Sequence, residues 1–569
     1  MSIFSKIAKK SDEHEFFVDI PEGYSPGKTK YIITTGTVMS GLGKGIFNSS
    51  LAQLLQAKGL TIAPIKLEGY LNVDSGTLNP FRHGEVFVLD DGLECDMDLG
   101  TYERFLNLDL SKDNFMTAGR LFTRILDKER KGKYLGRDVQ FVPHVTGEIK
   151  RVLRSLALRK KADIVLVEIG GTVGDIENSY YLEAMRELSY EEGPDNVCFV
   201  TLTYILEPGF LGEQKSKAAQ LGIKNLLTAG IQPHIIACRC ENPASEKVRE
   251  KISVFSNVPF NRVFSSHDVK SIYLIPLSMK EAKLDEAVID ILGLKHRIKK
   301  GSIKRWEELV QNILNPEGEI TIGITGKYTW LRDSYASIIK ALEHAGAHCR
   351  TKVKIRWIET TDIESNKIPI EDAMKGLSGI IVPGGFGKRG TEGKISCIRY
   401  ARENKMPYLG LCLGFQMAVV EYARNVCGLE GANTIEVEAD CKHPVIAILP
   451  GQADLKSLGG NMRLGGHDVE IIKDTRAWEL YGKRLSVRER FRHRYECNPP
   501  YIETLEKHGL VFSGKAPDQQ IMQILELKDH PFFIGTQFHP EFTSKPLSSH
   551  PLYDGFIRAA SAFSTSRPS

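Results

Sequence analysis

Two groups of residues in this 569-residue chain have the types and spacing to do chemistry. Pro407-Tyr-Leu-Gly410-Leu-Cys412-Leu-Gly414-Phe415-Gln416 reads as an apolar strand, a Gly-x-Cys-x-Gly turn and a helix start. Glycines permit the sharp turn that lifts a nucleophile above a sheet, and a helix N-terminus favours a thiolate. A thiolate needs a proton acceptor, and Phe538-His539-Pro-Glu541-Phe supplies an imidazole with a carboxylate close behind to orient it. Pro383-Gly384-Gly385-Phe386-Gly387 follows an apolar run and can turn a backbone N–H toward the same point as an oxyanion donor. Together these three segments complete an acyl-transfer site. Taken singly, Cys412 would read as a buried structural thiol and His539 as a surface histidine.

The second group opens with Tyr31-Ile-Ile-Thr-Thr-Gly36-Thr-Val38-Met-Ser40-Gly41-Leu42-Gly43-Lys44-Gly45-Ile46, a strand running through a glycine-rich turn into a helix. Backbone N–H groups, the helix N-terminus and Lys44 suit phosphate oxygens. The strict phosphate-loop spacing fails, because Val38 stands at the first glycine position and Gly45 stands where Ser or Thr would hold Mg²⁺. A glycine-rich connection without a ligand is therefore the competing reading, and any magnesium ligands must lie elsewhere. Asp96 and Asp98 in Glu94-Cys-Asp-Met-Asp-Leu-Gly, and Glu168 at a strand end, offer hard carboxylate oxygens. Lys66, the run Gly170-Gly-Thr-Val-Gly-Asp175-Ile176-Glu177 and the run Lys215-Ser216-Lys217-Ala218-Ala219-Gln220 are further polar candidates. Individually, those lysines read as solvated side chains, and Asp175 and Glu177 as helix-start residues.

The elements that must position these groups alternate. β-Branched apolar runs at 31–35, 61–66, 163–168, 197–204 and 234–238 predict strands, and 44–57, 147–156 and 213–228 predict helices. Such alternation predicts an α/β fold with a parallel sheet. A second series follows at 319–325, 379–382, 408–411, 445–449, 521–527 and 532–537. We divide the chain into an N-terminal extension (1–28), a first domain (29–298), a basic linker with one short amphipathic helix (299–317) and a second domain (318–569). Hydrophobic residues at 42 %, charged residues at 26 % and a net charge of +4 exclude collagen-like, disordered and polyanion-binding classes, so no nucleic acid partner is expected. No apolar run reaches membrane-spanning length, and no membrane association is expected. The ten cysteines are scattered except for Cys238 and Cys240, which read as two buried strand thiols in a reducing, cytoplasmic setting.

The segments SGLGKGI, HGEVFVLDDG, DMDLG, YERF, KERKGKYLG, VEIGGTVGDIE, GLCLGFQ, RHRYE and QFHPEF give the chain a strong resemblance to the cytidine triphosphate synthetase family from about Lys30 to Ser544. The resemblance implies a phosphate-loop-like parallel-sheet amidoligase domain joined to a class I glutaminase domain. It implies amination of UTP to CTP, with ATP phosphorylating the 4-oxygen and glutamine supplying ammonia, and with Mg²⁺ as cofactor. By resemblance, Gly41, Leu42, Gly43, Lys44, Gly45, Ile46, Lys66 and Asp98 would bind ATP, with His267, Asp268 and Val269 near the adenosine. Asp98 and Glu168 would hold Mg²⁺. Ser40, Lys215, Ser216, Lys217, Ala218, Ala219, Gln220 and Lys251 resemble UTP-binding positions, Asp175, Ile176 and Glu177 the segment that receives inhibitory CTP, and Phe255 flanks that pocket. Cys412 would form the γ-glutamyl thioester, His539 would serve as base and acid, and Glu541 would orient it. Gly385 and Leu413 would donate oxyanion N–H groups, and Leu413, Gly414, Phe415, Gln416, Glu436 and Arg494 would hold glutamine. GTP as allosteric activator, with Lys388-Arg389-Gly390 as part of its contact, and assembly into homotetramers and filaments are further implications.

The chain departs from the family pattern at Lys215–Gln220, where Ser216, Ala218 and Ala219 stand in place of Thr, Pro and Thr, so that a Thr hydroxyl and a Pro constraint are missing, and at Gly69, Arg120 and Trp330-Leu-Arg-Asp-Ser-Tyr. Two other readings stand beside the first: an amidoligase acting on a carboxylate acceptor, and a nucleotide-binding scaffold without turnover. VEIGGTVGDIE argues against the former, and the retained Cys412, His539, Glu541, Asp98 and Glu168 against the latter.

Overall fold

The computed structural model describes residues 20–209, 212–326, 332–385, 387–448 and 462–566. Most of the expected extension, as well as Trp330 and Phe386, lies outside these residues. In chain order the first nine strands are β1 (Lys30–Gly36), β2 (Ile62–Glu68), β3 (Val86–Val88), β4 (Glu94–Asp96), β5 (Phe115–Thr117), β6 (Ile164–Ile169), β7 (Val197–Tyr204), β8 (Ile235–Cys240) and β9 (Val263–His267). Contacts sort the described residues into two units, one of residues up to Asp74 with Thr101–Lys304, the other of Ser75–Gly100 with the chain from Arg305 onward.

In the first unit seven strands form one sheet in the order β5-β2-β6-β1-β7-β8-β9, and every neighbouring pair is parallel. The near-continuous apolar strands follow from burial on both faces. Tyr31, Ile33, Ile65, Val165 and Val167 feed one core, while Ile236, Cys238 and Cys240 feed another with Ile205 and Ile223. Cys238 and Cys240 are thus the buried strand thiols that their spacing predicts. The helix Lys44–Ala57 has its expected limits. The helix expected over 213–228 begins only at Lys217, because Lys215 exchanges backbone hydrogen bonds with Leu206 and holds the preceding residues extended.

The remaining strands are β10 (Gly318–Gly326), β11 (Thr351–Glu359), β12 (Gly379–Val382), β13 (Tyr408–Leu411), β14 (Ala432–Thr434), β15 (His443–Ile448), β16 (Arg463–Ile471), β17 (Ser486–His493), β18 (Tyr495–Cys497), β19 (Leu510–Lys515), β20 (Met522–Leu527) and β21 (Phe533–Thr536). Nine of them form a sheet in the order β11-β10-β12-β13-β21-β20-β19-β16-β17, parallel from β11 to β21 and antiparallel beyond. β14, β15 and β18 form a smaller sheet. The helix expected in the linker is present at Lys304–Leu314, with Trp306, Leu309 and Val310 buried along one side.

One grouping differs from the domain division read from the sequence. The β3–β4 hairpin lies within residues 29–298 but docks on the β16–β17 ribbon, where Arg488 pairs with Asp90 at 2.9 Å and Gly466 N–H donates to the Asp90 carbonyl at 2.8 Å. Among the described residues, no helix is long and apolar enough to cross a membrane.

Candidate functional site

Cys412 sits between β13 and the helix Leu413–Asn425, at φ 49° and ψ −99°, a backbone setting that a non-glycine residue rarely adopts. Its N–H donates to Thr536 O at 2.7 Å, so the sheet ladder runs up to the turn. Close approach explains a flanking glycine: a Cβ on Gly414 would lie 2.1 Å from the Val382 carbonyl oxygen. The helix then starts immediately, with its first backbone N–H groups lacking intrahelical acceptors.

His539 follows β21. Its backbone N–H donates to Arg490 O at 2.8 Å, its ring stacks on Phe542 at 4.8 Å, and its Nδ1 is 2.7 Å from Glu541 Oε1. Burial opposes charge on this imidazole, but Glu541 and the Cys412 sulfur outweigh it and raise its pKa from 6.5 to about 10. Nε2 has no nitrogen or oxygen partner among the described residues. The thiol donates to Arg492 O at 3.6 Å and accepts from Gln537 Nε2 at 3.6 Å. The expected Cys412, His539 and Glu541 are thereby brought together.

Gly385 adjoins the turn, since a Cβ built on it would meet Leu413 Cδ2 at 3.8 Å. Glu436 Oε1 accepts from Gly387 N–H at 2.7 Å, so it sits beside the same glycine-rich segment. Arg494 lies between β17 and β18. Two residues expected to hold glutamine have buried side chains. The Phe415 ring is fully buried in the core, which leaves only its backbone to face a ligand. The Gln416 side chain is buried and already donates to Tyr495 O at 3.0 Å and to Gln537 Oε1 at 3.2 Å. Gln537 was not singled out from the sequence; its place just before Phe538-His539 was the available signal.

In the first unit, the turn after β1 is built around Val38, at φ 77°, with Met39 N–H donating to Thr37 O at 3.0 Å. This is a γ-turn of the rarer, strained hand, at the position where a standard phosphate loop has glycine. Gly41 and Gly43 also take left-handed φ, Ser40 is exposed, Leu42 is buried, and Gly45 and Ile46 open the helix. Lys44 Nζ donates to Gly171 O at 2.8 Å, tying this turn to the loop after β6.

Strand register brings the charged groups together. Lys66 and Glu168 are paired positions on β2 and β6, and Lys66 Nζ is 3.2 Å from Glu168 Oε1 and 3.2 Å from Glu68 Oε1. Tyr102 O–H donates to Glu168 Oε2 at 2.8 Å, and Asn48 Nδ2 donates to the Tyr102 oxygen at 3.0 Å. Sequence reading missed Glu68 and Tyr102. For Glu68 the signal was present, since residues two apart on a strand share a face with Lys66. Asp98, on the helix Met97–Leu106, belongs by contacts to the second unit.

The end of β9 borders a small recess lined by Phe47, Phe264, His267, Val269, Met279 and Leu284. Asp268 pairs with Arg239. Asp175 accepts from Thr172 N–H at 2.7 Å, and Ile176 and Glu177 are exposed. Lys215 pairs with Glu213, and Gln220 Nε2 donates to Ser216 Oγ at 3.2 Å. Lys217, Lys251 and Phe255 are exposed, and Ala218 is half-buried. The Ala219 side chain is fully buried with Ile205 and Ile223. Among the described residues, no group of three or more His, Cys, Asp or Glu forms a ready-made metal cage.

A cysteine at a strand-to-helix elbow, answered by a histidine held on a glutamate, has the groups that acyl transfer requires, and the parallel sheet of the first unit carries a lysine-bearing turn. The combination defines a class I glutamine amidotransferase fused to a second α/β unit. Residues 330–559 match the family described as glutamine amidotransferase class-I, and residues 30–294 match the CTP synthase N-terminus. A CTP synthase of Caldanaerobacter subterraneus is 49 % identical over 93 % of this chain and 98 % of its own, and one of Thermococcus gammatolerans is 50 % identical over 94 % and 98 %. A solved structure of the Trypanosoma brucei CTPS glutaminase domain with bound acivicin is 35 % identical, covering 43 % of this chain and 94 % of that one, with a TM-score of 0.40. The chain belongs to the CTP synthase family.

Proposed function

We propose that the chain converts UTP to CTP with ATP and glutamine, and that the residues gathered in each unit carry the two half-reactions. The observation that carries the reading is the thiol, imidazole and carboxylate assembled at Cys412, His539 and Glu541. Cys412 attacks the glutamine side-chain carbonyl while His539 takes the thiol proton and then passes it to the departing ammonia. Glu541 holds the ring and stabilises its charge. The Leu413 and Gly385 N–H groups receive the oxyanion, and water then releases glutamate. Glu436, Arg494 and the first-turn amides of Gly414 and Phe415 hold the substrate.

In the other half, the turn at Gly41–Ile46 with Lys44 receives the ATP phosphates, and the recess beside His267 and Val269 takes the adenine. The uracil 4-oxygen takes the γ-phosphoryl group, and ammonia then displaces phosphate at C4, giving CTP, ADP and phosphate. Lys66 steadies the transferring group. Glu68 and Glu168 fit a magnesium ion chemically, since two carboxylates share one lysine and Mg²⁺ is commonly held by one or two carboxylates plus phosphates. Asp98 is the further ligand that family resemblance adds, and Mg²⁺ would neutralise phosphate charge there. Ser40, Asp175, Ile176, Glu177, Lys215–Gln220 and Lys251 are assigned to UTP and inhibitory CTP through resemblance, with Ala219 supporting from the core. GTP activation, tetramers and filaments belong to the same reading. A cytoplasmic location is supported by ten cysteines with no disulfide among them.

The test is CTP formation with glutamine or with ammonium chloride. Cys412→Ala abolishes the glutamine-driven rate and leaves the ammonia-driven rate within about two-fold, since only the former needs the nucleophile. Loss of both rates in a folded variant would defeat the assignment of separate sites.

A further inference from the structure

The ribbon β16–β17 carries three alternating arginines whose side chains and backbone serve different neighbours. Arg488 donates to the Asp90 carboxylate at 2.9 and 3.0 Å, Arg490 Nη1 to Val88 O at 3.2 Å, and Arg492 Nε to Glu94 Oε1 at 2.8 Å. All three acceptors lie on the β3–β4 hairpin or its turn. The backbone of two of these arginines holds the proposed catalytic pair: Arg490 O accepts from the His539 N–H, and Arg492 O accepts from the Cys412 thiol. The Glu94 side chain is fully buried, and the Arg492 side chain is mostly so, which makes this charge-assisted bond short and hard for water to replace.

We propose that Glu94 is a positioning residue for the glutaminase nucleophile, acting through Arg492 to set where the Arg492 carbonyl meets the Cys412 thiol. The proposal rests on the reading of Cys412 as nucleophile. It makes the thiol's setting depend on a hairpin drawn from the stretch that matches the CTP synthase N-terminus, residues 30–294. The sign of the effect follows from the hydrogen bond. A carbonyl acceptor stabilises the neutral S–H over the thiolate, whereas the Gln537 N–H donated to the sulfur favours the thiolate. Arg492 O therefore orients the thiol.

Glu94→Gln keeps the shape and removes the charge. Alkylation by iodoacetamide is followed against pH on the Cys412 peptide by mass spectrometry, beside steady-state glutamine hydrolysis and ammonia-driven CTP formation. The expected result is a lower pH midpoint for alkylation together with a kcat for glutamine hydrolysis reduced about 10-fold, KM for glutamine unchanged within about two-fold. A structural lesion alone would lower both reactivity and turnover. Ammonia-driven CTP formation stays within about two-fold, since it needs no thiol. Asp90→Asn loosens the Arg488 anchor of the same hairpin and leaves the alkylation midpoint in place. An unmoved midpoint in Glu94→Gln overturns the proposal, and so does an equal shift in Asp90→Asn. Should Glu94→Gln fail to fold, Arg492→Lys, which keeps the charge and loses the Nε geometry, is judged by the same criteria. Glutamine hydrolysis persisting in Cys412→Ala would instead overturn the underlying assignment of the nucleophile.

Discussion

Glu541 decides which proton state His539 can hold. Burial alone would push this imidazole below its ordinary pKa of 6.5, and the adjoining carboxylate and sulfur reverse the direction to about 10. Glu541→Gln removes the carboxylate and leaves burial opposed only by the Cys412 sulfur. We expect glutamine hydrolysis to fall about 10²- to 10⁴-fold, the usual worth of a positioned acid–base group. Steady-state rates with glutamine and with ammonia measure this, and a glutamine rate within two-fold of the parent would reject the role. Val38 is a second single-residue case. Its positive φ strains a β-branched side chain that is 37 % exposed and so has modest packing to lose. Val38→Gly relieves that strain at some entropic cost, for a net stabilisation of about 1 kcal/mol, read from the urea midpoint. A lower midpoint would show that the side chain contributes more than its strain costs. Contacts were legible where partners are neighbours in sequence, as for His539 and Glu541. Glu68, Tyr102 and Gln537 escaped because register and tertiary approach, not local spacing, bring them to Glu168 and Cys412.

At the scale of elements, the turn after β12 and the elbow after β13 are fitted to one another. A Cβ on Gly384 would stand 3.1 Å from His539 Cε1 and 3.6 Å from Cys412 Cβ, tight contact with the ring and ordinary contact with the cysteine. Gly384→Ala therefore pushes on the imidazole while leaving both strands intact. We expect glutamine-driven CTP formation to drop at least about 10-fold while the ammonia-driven rate holds, because small displacements of reacting groups are costly. An equal loss in both assays would place the damage in the fold instead. Strands β12 and β13 were legible to the residue, as short apolar runs closed by glycine turns. The β16–β17 ribbon was not. SVRERFRH carries arginine at every second position, which reads as a solvated segment until the hairpin acceptors for those arginines are known.

For the molecule as a whole, alternation of strand and helix disclosed two α/β units, but it assigned residues 75–100 by their place in the chain. Their contacts go to the unit beginning at Arg305, through pairs such as Asp90 with Arg488 that no local pattern encodes. That unit also holds the buried histidines that govern its response to pH. Burial lowers the pKa of His493 to about 3 and that of His530 to about 4. Unfolded, both would titrate near 6.5, so between 6.5 and these values the unfolded chain binds more protons than the folded one. Their contribution to stability is present above about 6.5 and is lost as pH falls through 4 toward 3. His539 has the opposite sign: its contribution is full below 6.5 and disappears as pH rises through about 10. Glu496, pushed up to about 7 by burial, works the other way between about 7 and 4.5, so the acid loss from the two histidines steepens below that window. Urea midpoints of the intact chain between pH 7 and 4, followed by glutaminase activity, test this. His530→Gln should flatten the acid limb because a side chain that cannot titrate has no proton linkage. An unchanged slope in His530→Gln would mean that this imidazole reaches solvent in the folded state.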